Sequence, residues 1–228
     1  FLQHLVGLLQ SASSGMGAHK GALDELNNLK QSSDFYRYCA NLLVAQDFEV
    51  HVRQLAGLQI KNGVRNPSCN AVLEVRQCTM QALADPSNLV RNVACSIIST
   101  ALSHSMWDPR ATVNEILSGL QSGGEHATRG CLKAISEVVD ENIELLDFNG
   151  DSSPAMTPTI AGAVLPMLGH ADETIQLSAL KTVAVIMEQA AMRREGATYD
   201  YMGTQVGNML QYVGGILTNP QAKTKFLT

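Results

Sequence analysis

The chain is poor in the residues that carry most site chemistry. Its five cysteines (Cys39, Cys69, Cys78, Cys95 and Cys131) are odd in number and contain no Cys-x-x-Cys pair. That pattern excludes the usual disulfide framework and thiolate zinc site; the cysteines read as small buried hydrophobes of a reducing compartment. Aromatics are 5% of the chain, with one tryptophan, against 45% hydrophobic residues. The core must therefore be Leu, Val, Ile and Ala, the usual filling of stacked helices. Strict apolar–polar alternation, which a half-buried strand needs, is scarce. No signal peptide or apolar run of membrane-spanning length occurs, and Asn66-Pro67-Ser68 is disqualified as a glycosylation acceptor by its proline. The 21 acidic and 16 basic residues leave a net charge of −5. That balance disfavours a nucleic-acid backbone as partner and suits either a basic protein partner or a plain solvated surface.

Catalytic and metal signatures are missing as well. The six histidines show no His-Glu-x-x-His and no ligand spacing with cysteine. Asp147-x-Asn149-x-Asp151 begins like a calcium loop, but Ser152 stands at the required glycine and Pro158 at the terminal glutamate. Gly15-x-Gly17 is followed by Lys20 where a dinucleotide loop has its third glycine. Neither a P-loop nor a Gly-x-Ser-x-Gly elbow is present. These exclusions point away from an enzyme and from any cofactor.

What is present is a repeat. Asp47…Val52-Arg53-Gln-Leu-Ala56 recurs 38 residues later as Asp85…Val90-Arg91-Asn-Val-Ala94, then after 38 more as Thr128-Arg129-Gly-Cys-Leu132. A fourth, weaker copy comes 47 residues on at Ile175-Gln176-Leu-Ser-Ala179, and the polar stretch Asp147–Pro154 accounts for the excess as an inserted loop. The expected fold class is all-α, an α-α superhelix (solenoid) of HEAT repeats with about five and a half helix pairs. Repeat boundaries fall near 1–32, 33–66, 67–105, 107–143, 155–196 and a partial 199–228, one continuous array that looks like an excerpt of a longer chain.

Helices are expected at about 1–12, 18–31, 34–46, 48–64, 68–84, 86–104, 109–121, 125–141, 158–169, 172–192 and 199–217. Gly15 and Gly17 break the first pair, and Ser33 and Asp47 are expected N-caps. Asp85-Pro86, Asp108-Pro109 and Thr157-Pro158 each place a cap before a first-turn proline. Arg193-Arg194-Glu195-Gly196 reads as a helix end. Gly203, Gly207, Gly214 and Gly215 are unusual in a helix interior, where each costs about 1 kcal/mol relative to Ala.

In such arrays the aspartate can cap its own helix and also accept from an arginine of a neighbouring repeat. Asp47, Arg53, Asp85, Arg91 and Arg129 form this expected structural ladder, complete only at the second and third repeats. The fourth has Gly123 in place of the aspartate and the fifth has His170 and Gln176, so stacking there should rest on apolar contacts. Gln54, Lys61 and Arg65 share one face of the second-repeat helix, continued 38 residues on by Asn92, Ser99 and Ser103. That stripe is either a partner-facing surface or a merely solvated one. Trp107 is either a partner hot spot or, more commonly at a junction, a packing wedge. Met80, Met106, Met156, Met167 and Met187 read as scattered core filling rather than a binding groove.

The run Arg53-Gln-Leu-Ala-Gly-Leu-Gln-Ile-Lys-Asn62 resembles the R-x-x-A-G-L-x-(I/L)-K-N run of the importin-β superfamily of nuclear transport receptors. Leu23-Asp-Glu-Leu-Asn-Asn-Leu29 and Asp34-Phe-Tyr-x-Tyr38 stand where that family has its first inner and second outer helices. Ala84-Asp-Pro-Ser-x-Leu-Val-Arg91, Trp107 and Val138–Asp147 are similar to its transportin branch, although Asp108 separates the tryptophan from Pro109. The resemblance implies binding of the Ran GTPase in its GTP form through inner helices, with Gln54, Lys61, Arg65, Asn92 and Ser99 as GTPase-facing candidates. It also implies contact with Phe-Gly nucleoporins through outer helices, cargo protein carried on a C-terminal arch outside this chain, and shuttling between cytoplasm and nucleus. It implies no direct nucleic-acid or membrane partner. The alternative is a HEAT scaffold such as a phosphatase regulatory subunit, in which Ala56–Asn62 would be incidental.

Overall fold

A computed structural model describes residues 1–13, 19–147, 155–194 and 196–218. The described residues form twelve α-helices and no strand, the all-α class expected from the repeat. They fall into two compact units, Phe1–Trp107 and Asp108–Thr228. Gly15, Gly17, Glu195 and the inserted loop after Asp147 lie outside the described residues.

The first unit holds α1 (Leu2–Ser13), α2 (His19–Leu29), α3 (Ser33–Val44), α4 (Val50–Gly63), α5 (Pro67–Asn70), α6 (Leu73–Ala82) and α7 (Asn88–Ser103). Helices α3/α4 and α6/α7 are successive pairs, and the pairs stack in two rows, α3 on α6 and α4 on α7. The α3 cap is Ser32 rather than Ser33, its hydroxyl accepting from Asp34 N at 3.2 Å. The helix expected over 68–84 is split. Asn66 Oδ1 caps the single turn of α5 by accepting from Ser68 N, but Val72 is extended (φ −100°, ψ 103°) before α6 begins. A buried β-branched residue takes that backbone readily.

Between the rows lie Phe35, Tyr36, Leu42, Leu43, Ile60, Ile97, Ile98 and Leu102, all fully buried, each stabilising by about 1.5–3 kcal/mol. Two glycines are needed for this packing. A Cβ on Gly57 would lie 2.7 Å from Val93 Cγ1, and one on Gly63 would overlap the Tyr36 ring. Burial in this layer raises the Tyr36 hydroxyl to about 12.

The second unit holds α8 (Pro109–Ser122), α9 (Glu125–Asp147), α10 (Thr157–Val164), α11 (Glu173–Arg193) and α12 (Ala197–Thr218). Asp108 caps α8 as expected, Oδ1 accepting from Ala111 N at 2.6 Å with Pro109 in the first turn. The same device fails twice elsewhere: α7 begins at Asn88, beyond Pro86, and Thr157 lies inside α10 rather than capping it. Helix α9 runs past the expected end at 141, with a break at buried Asn142 (φ −136°, ψ 22°). The helix expected over 158–169 tightens into a 3₁₀ turn at Leu165–Gly169, where Pro166 removes a backbone donor. Helix α11 packs on α9, and α12 on α10 and α11. Of the methionines, Met156, Met202 and Met209 are core, while Met106, Met187 and Met192 are exposed.

Helix α7 ends in a Schellman arrangement: Met106 N donates to Ala101 O at 2.8 Å and Ser105 N to Leu102 O at 2.9 Å. Ser105 carries the left-handed backbone this requires, φ 55°, without being glycine. Ser105→Gly should stabilise the first unit by about 0.5–1 kcal/mol, raising its thermal midpoint by about 2 °C. Differential scanning calorimetry of the two proteins checks this, and a lower midpoint contradicts it.

Candidate interaction surfaces

The site chemistry begins with Arg53. In α4 its side chain turns inward and is 3% exposed. Nε and Nη2 donate to Leu43 O at the end of α3 (3.2 and 3.0 Å), and Nη1 and Nη2 reach the carboxylate of Asp85. Asp85, 4% exposed in its side chain, also accepts from Ser87 N at 2.9 Å and so shapes the turn into α7. Arg91 donates through Nη1 to the carbonyls of Asp85 and Pro86. The guanidinium of one repeat thus bonds the turn of the next, and the next arginine clamps that turn from behind.

The other ladder residues behave differently. Asp47 lies in an exposed turn, and the α4 N-cap is Glu49, whose side chain makes no capping bond. The position 38 residues before Arg53 is Gly15, so the preceding copy supplies no arginine for Asp47. Arg129 does find a carboxylate, but not at the position that the spacing indicated. Asp172 is the α11 N-cap, accepting from Thr174 N and Ile175 N at 2.7 and 3.3 Å. Arg129 Nη2 lies 3.6 Å from Asp172 Oδ2 and also contacts Glu125 and the Thr174 hydroxyl. Counting six residues back from Gln176 pointed to His170; the cap sits two later, because the 3₁₀ turn shifts where the helix starts. His170 instead accepts from Asp172 N through Nδ1 at 3.0 Å. The signal that would have found Asp172 is the Asp-x-Thr sequence of an N-cap.

Of the candidates for a partner-facing stripe, Gln54 and Lys61 are half-buried on α4 and Asn92 is exposed on α7. Gln54 and Lys61 lie seven residues apart on one face of α4, and Asn92 stands 38 residues after Gln54. Ser99 is withdrawn: at 1% exposure it lies in the packed layer, where no partner can touch it. Its neighbours Ser96 and Thr100 are the half-exposed residues at that level of α7. Arg65 lies past the end of α4, its Nε donating to His104 Nε2 at 2.8 Å. Trp107, the last residue of its unit, is half-exposed.

The second unit carries a different surface. A trough of about 490 Å³ lies between α10 and α12, lined by Leu165, Pro166, Tyr201, Gln205, Asn208 and Tyr212. Apolar and aromatic walls alternate there with side-chain amides. All five cysteines are buried and none forms a disulfide; burial lifts Cys69 and Cys131 to about 12 and Cys39 further, so these three thiols stay protonated. Among the described residues no group of three or more His, Cys, Asp or Glu side chains is placed to hold a metal, and no helix is long and apolar enough to cross a membrane.

Residues 22–69 match the importin-beta N-terminal domain family. Importin subunit beta-2 of Schizosaccharomyces pombe is 27% identical over 152 residues, 61% of this chain and 16% of that protein. Transportin of Dictyostelium discoideum is 23% identical over 170 residues, 72% of this chain and 18% of that protein. The chain therefore spans less than a fifth of the length of either relative. Two solved structures share the solenoid fold. One is the complex in which Kap95p binding induces the switch loops of RanGDP to adopt the GTP-bound conformation, with a TM-score of 0.70, 14% identity, 98% of this chain and 28% of that one. The other is the Kap95:Nup1 complex, at 0.68, 14%, 96% and 27%.

Asp85→Asn should destabilise the first unit by about 3–5 kcal/mol, because it strands the buried Arg53 guanidinium; urea unfolding measures this, and a loss under 1 kcal/mol contradicts the account. Asp172 is held below the ordinary carboxylate range chiefly by the Thr174 hydroxyl, then by the backbone amides of Thr174 and Ile175 and by Arg129, with desolvation opposing. Its contribution is complete above the unfolded aspartate value of about 3.9 and disappears as pH falls through the lower folded value. Thermal melts of the second unit's helices should therefore lose less between about pH 4 and 2 in Asp172→Asn than in the parent chain.

Proposed function

From a chain that belongs to the importin-β superfamily, we propose a part of a nuclear transport receptor that binds the GTP form of Ran on its α4–α7 row and Phe-Gly nucleoporins in the trough between α10 and α12. The observation that carries this reading is the Arg53–Asn62 helix inside the matched N-terminal domain. There Arg53 is spent on internal stacking, while Gln54 and Lys61, with Asn92 of α7, are left toward solvent. One lysine among uncharged hydrogen-bonding side chains suits a partner surface that is selected by shape and polar complementarity. Support for the partner comes from the similar fold of a protein that acts on the switch loops of RanGDP.

Nucleoporin binding is supported by the α10–α12 trough and by the similarity to a protein crystallised with Nup1. A phenylalanine ring fits between Leu165, Pro166 and the two tyrosines, and the amides of Gln205 and Asn208 can take the peptide backbone on either side. Cargo carriage and shuttling between cytoplasm and nucleus belong to the whole receptor, of which this chain corresponds to a small fraction. The superfamily consists of non-enzymatic transport receptors, and nothing in these surfaces calls for a catalytic role.

Titration of the chain with Ran loaded with GTP or GDP tests the reading. The GTP form should bind at least about tenfold more tightly, and Lys61→Glu should weaken it by about tenfold, the loss of one well-placed charge contact, with the thermal midpoint unchanged. Equal affinity for the two nucleotide states would sink the proposal.

A further inference from the structure

Arg129 is seated unlike Arg53. A guanidinium is a planar fork of five donors and pairs best when two of them meet one carboxylate. Arg53 uses Nε, Nη1 and Nη2. At Arg129 a single nitrogen, Nη2, carries the contacts to Glu125 Oε1 one turn back on α9 and to Thr174 Oγ1 on α11, and lies 3.6 Å from Asp172 Oδ2. Its Nε is buried with no partner at all. One cation thus faces two carboxylates, one on its own helix and one capping the first turn of the next pair. The side chains of Arg129 and Asp172 are 27% and 30% exposed, against 3% and 4% for Arg53 and Asp85, so dissolved ions reach this pair and not the other.

We propose that Arg129 is a salt-sensitive clasp on the α9–α11 joint, one nitrogen shared between Glu125 of its own helix and Asp172–Thr174 of the next, which tightens an otherwise apolar packing. Glu125 competes with Asp172 for the same donor, so it weakens the cross-helix contact although it is itself an attractive partner. Salt weakens both contacts, but only the Asp172 contact spans two helices, so added salt loosens the joint. The buried Arg53–Asp85 pair has no such competitor, and its stacking is insensitive to salt.

Hydrogen exchange of the whole chain tests this. The amides of Leu177 to Leu180, in the second turn of α11, should exchange about two- to fivefold more slowly in Glu125→Gln, the change expected for strengthening one exposed ion pair. They should exchange faster by a similar factor in Arg129→Ala. Raising salt from low concentration to 0.5 M, where the Debye length falls to about 4 Å, should speed exchange in the parent chain but not in Arg129→Ala, and should leave the corresponding amides of α7 unchanged. A static brace predicts that Glu125→Gln leaves α11 exchange unchanged or speeds it. Either result, or a salt response that survives in Arg129→Ala, overturns the proposal.

Discussion

The first unit depends on a buried ion pair that would be costly if any part of it were missing. Taking an arginine and an aspartate out of water costs several kcal/mol for each ion, and the remaining donors and acceptors must then be filled. Here they are. The Arg53 fork is taken by the Leu43 carbonyl and the Asp85 carboxylate, and that carboxylate also takes the Ser87 amide. The pair ties the end of α3, the first turn of α4 and the turn before α7 in one contact, which fixes how one helix pair sits on the next. Two glycines of α4 complete the packing: Gly57 leaves room for Val93 of α7, and Gly63 for the Tyr36 ring of α3.

The second unit solves the same problem with weaker means. Its arginine reaches the carboxylate that caps α11, whereas Asp85 shapes the turn before α7 without capping that helix; the second pair is partly exposed, and its arginine also contacts Glu125. Packing of α11 on α9 rests on apolar residues such as Leu132, Ile135, Val183 and Ile186, with Thr182 bonding the Leu132 carbonyl at 3.1 Å. A chain of repeats can tolerate this unevenness because each repeat needs only its neighbours. Local stiffness then varies along the array.

Arginines that look alike in the repeat therefore have separate duties, and the surfaces left for partners are what stacking does not consume. Along the α4–α7 row stacking takes Arg53 and Ser99 and leaves Gln54, Lys61 and Asn92. In the second unit it leaves a trough walled by Tyr201 and Tyr212.

The period of the Asp-Arg pattern, the lack of alternating segments and the turn residues were enough to determine an all-α repeat array and its helix order, because stacked helices must repeat their apolar face and caps. The 38-residue spacing also identified Arg53 and Asp85 as partners. Spacing could not find Asp172, because the helix start depends on a 3₁₀ turn that Pro166 imposes. Ser99 and Lys61 occupy equivalent positions in the repeat, yet one is buried and the other is not. Which polar residues face a partner was decided only by how closely each helix approaches the next, a property of packing that no single repeat contains.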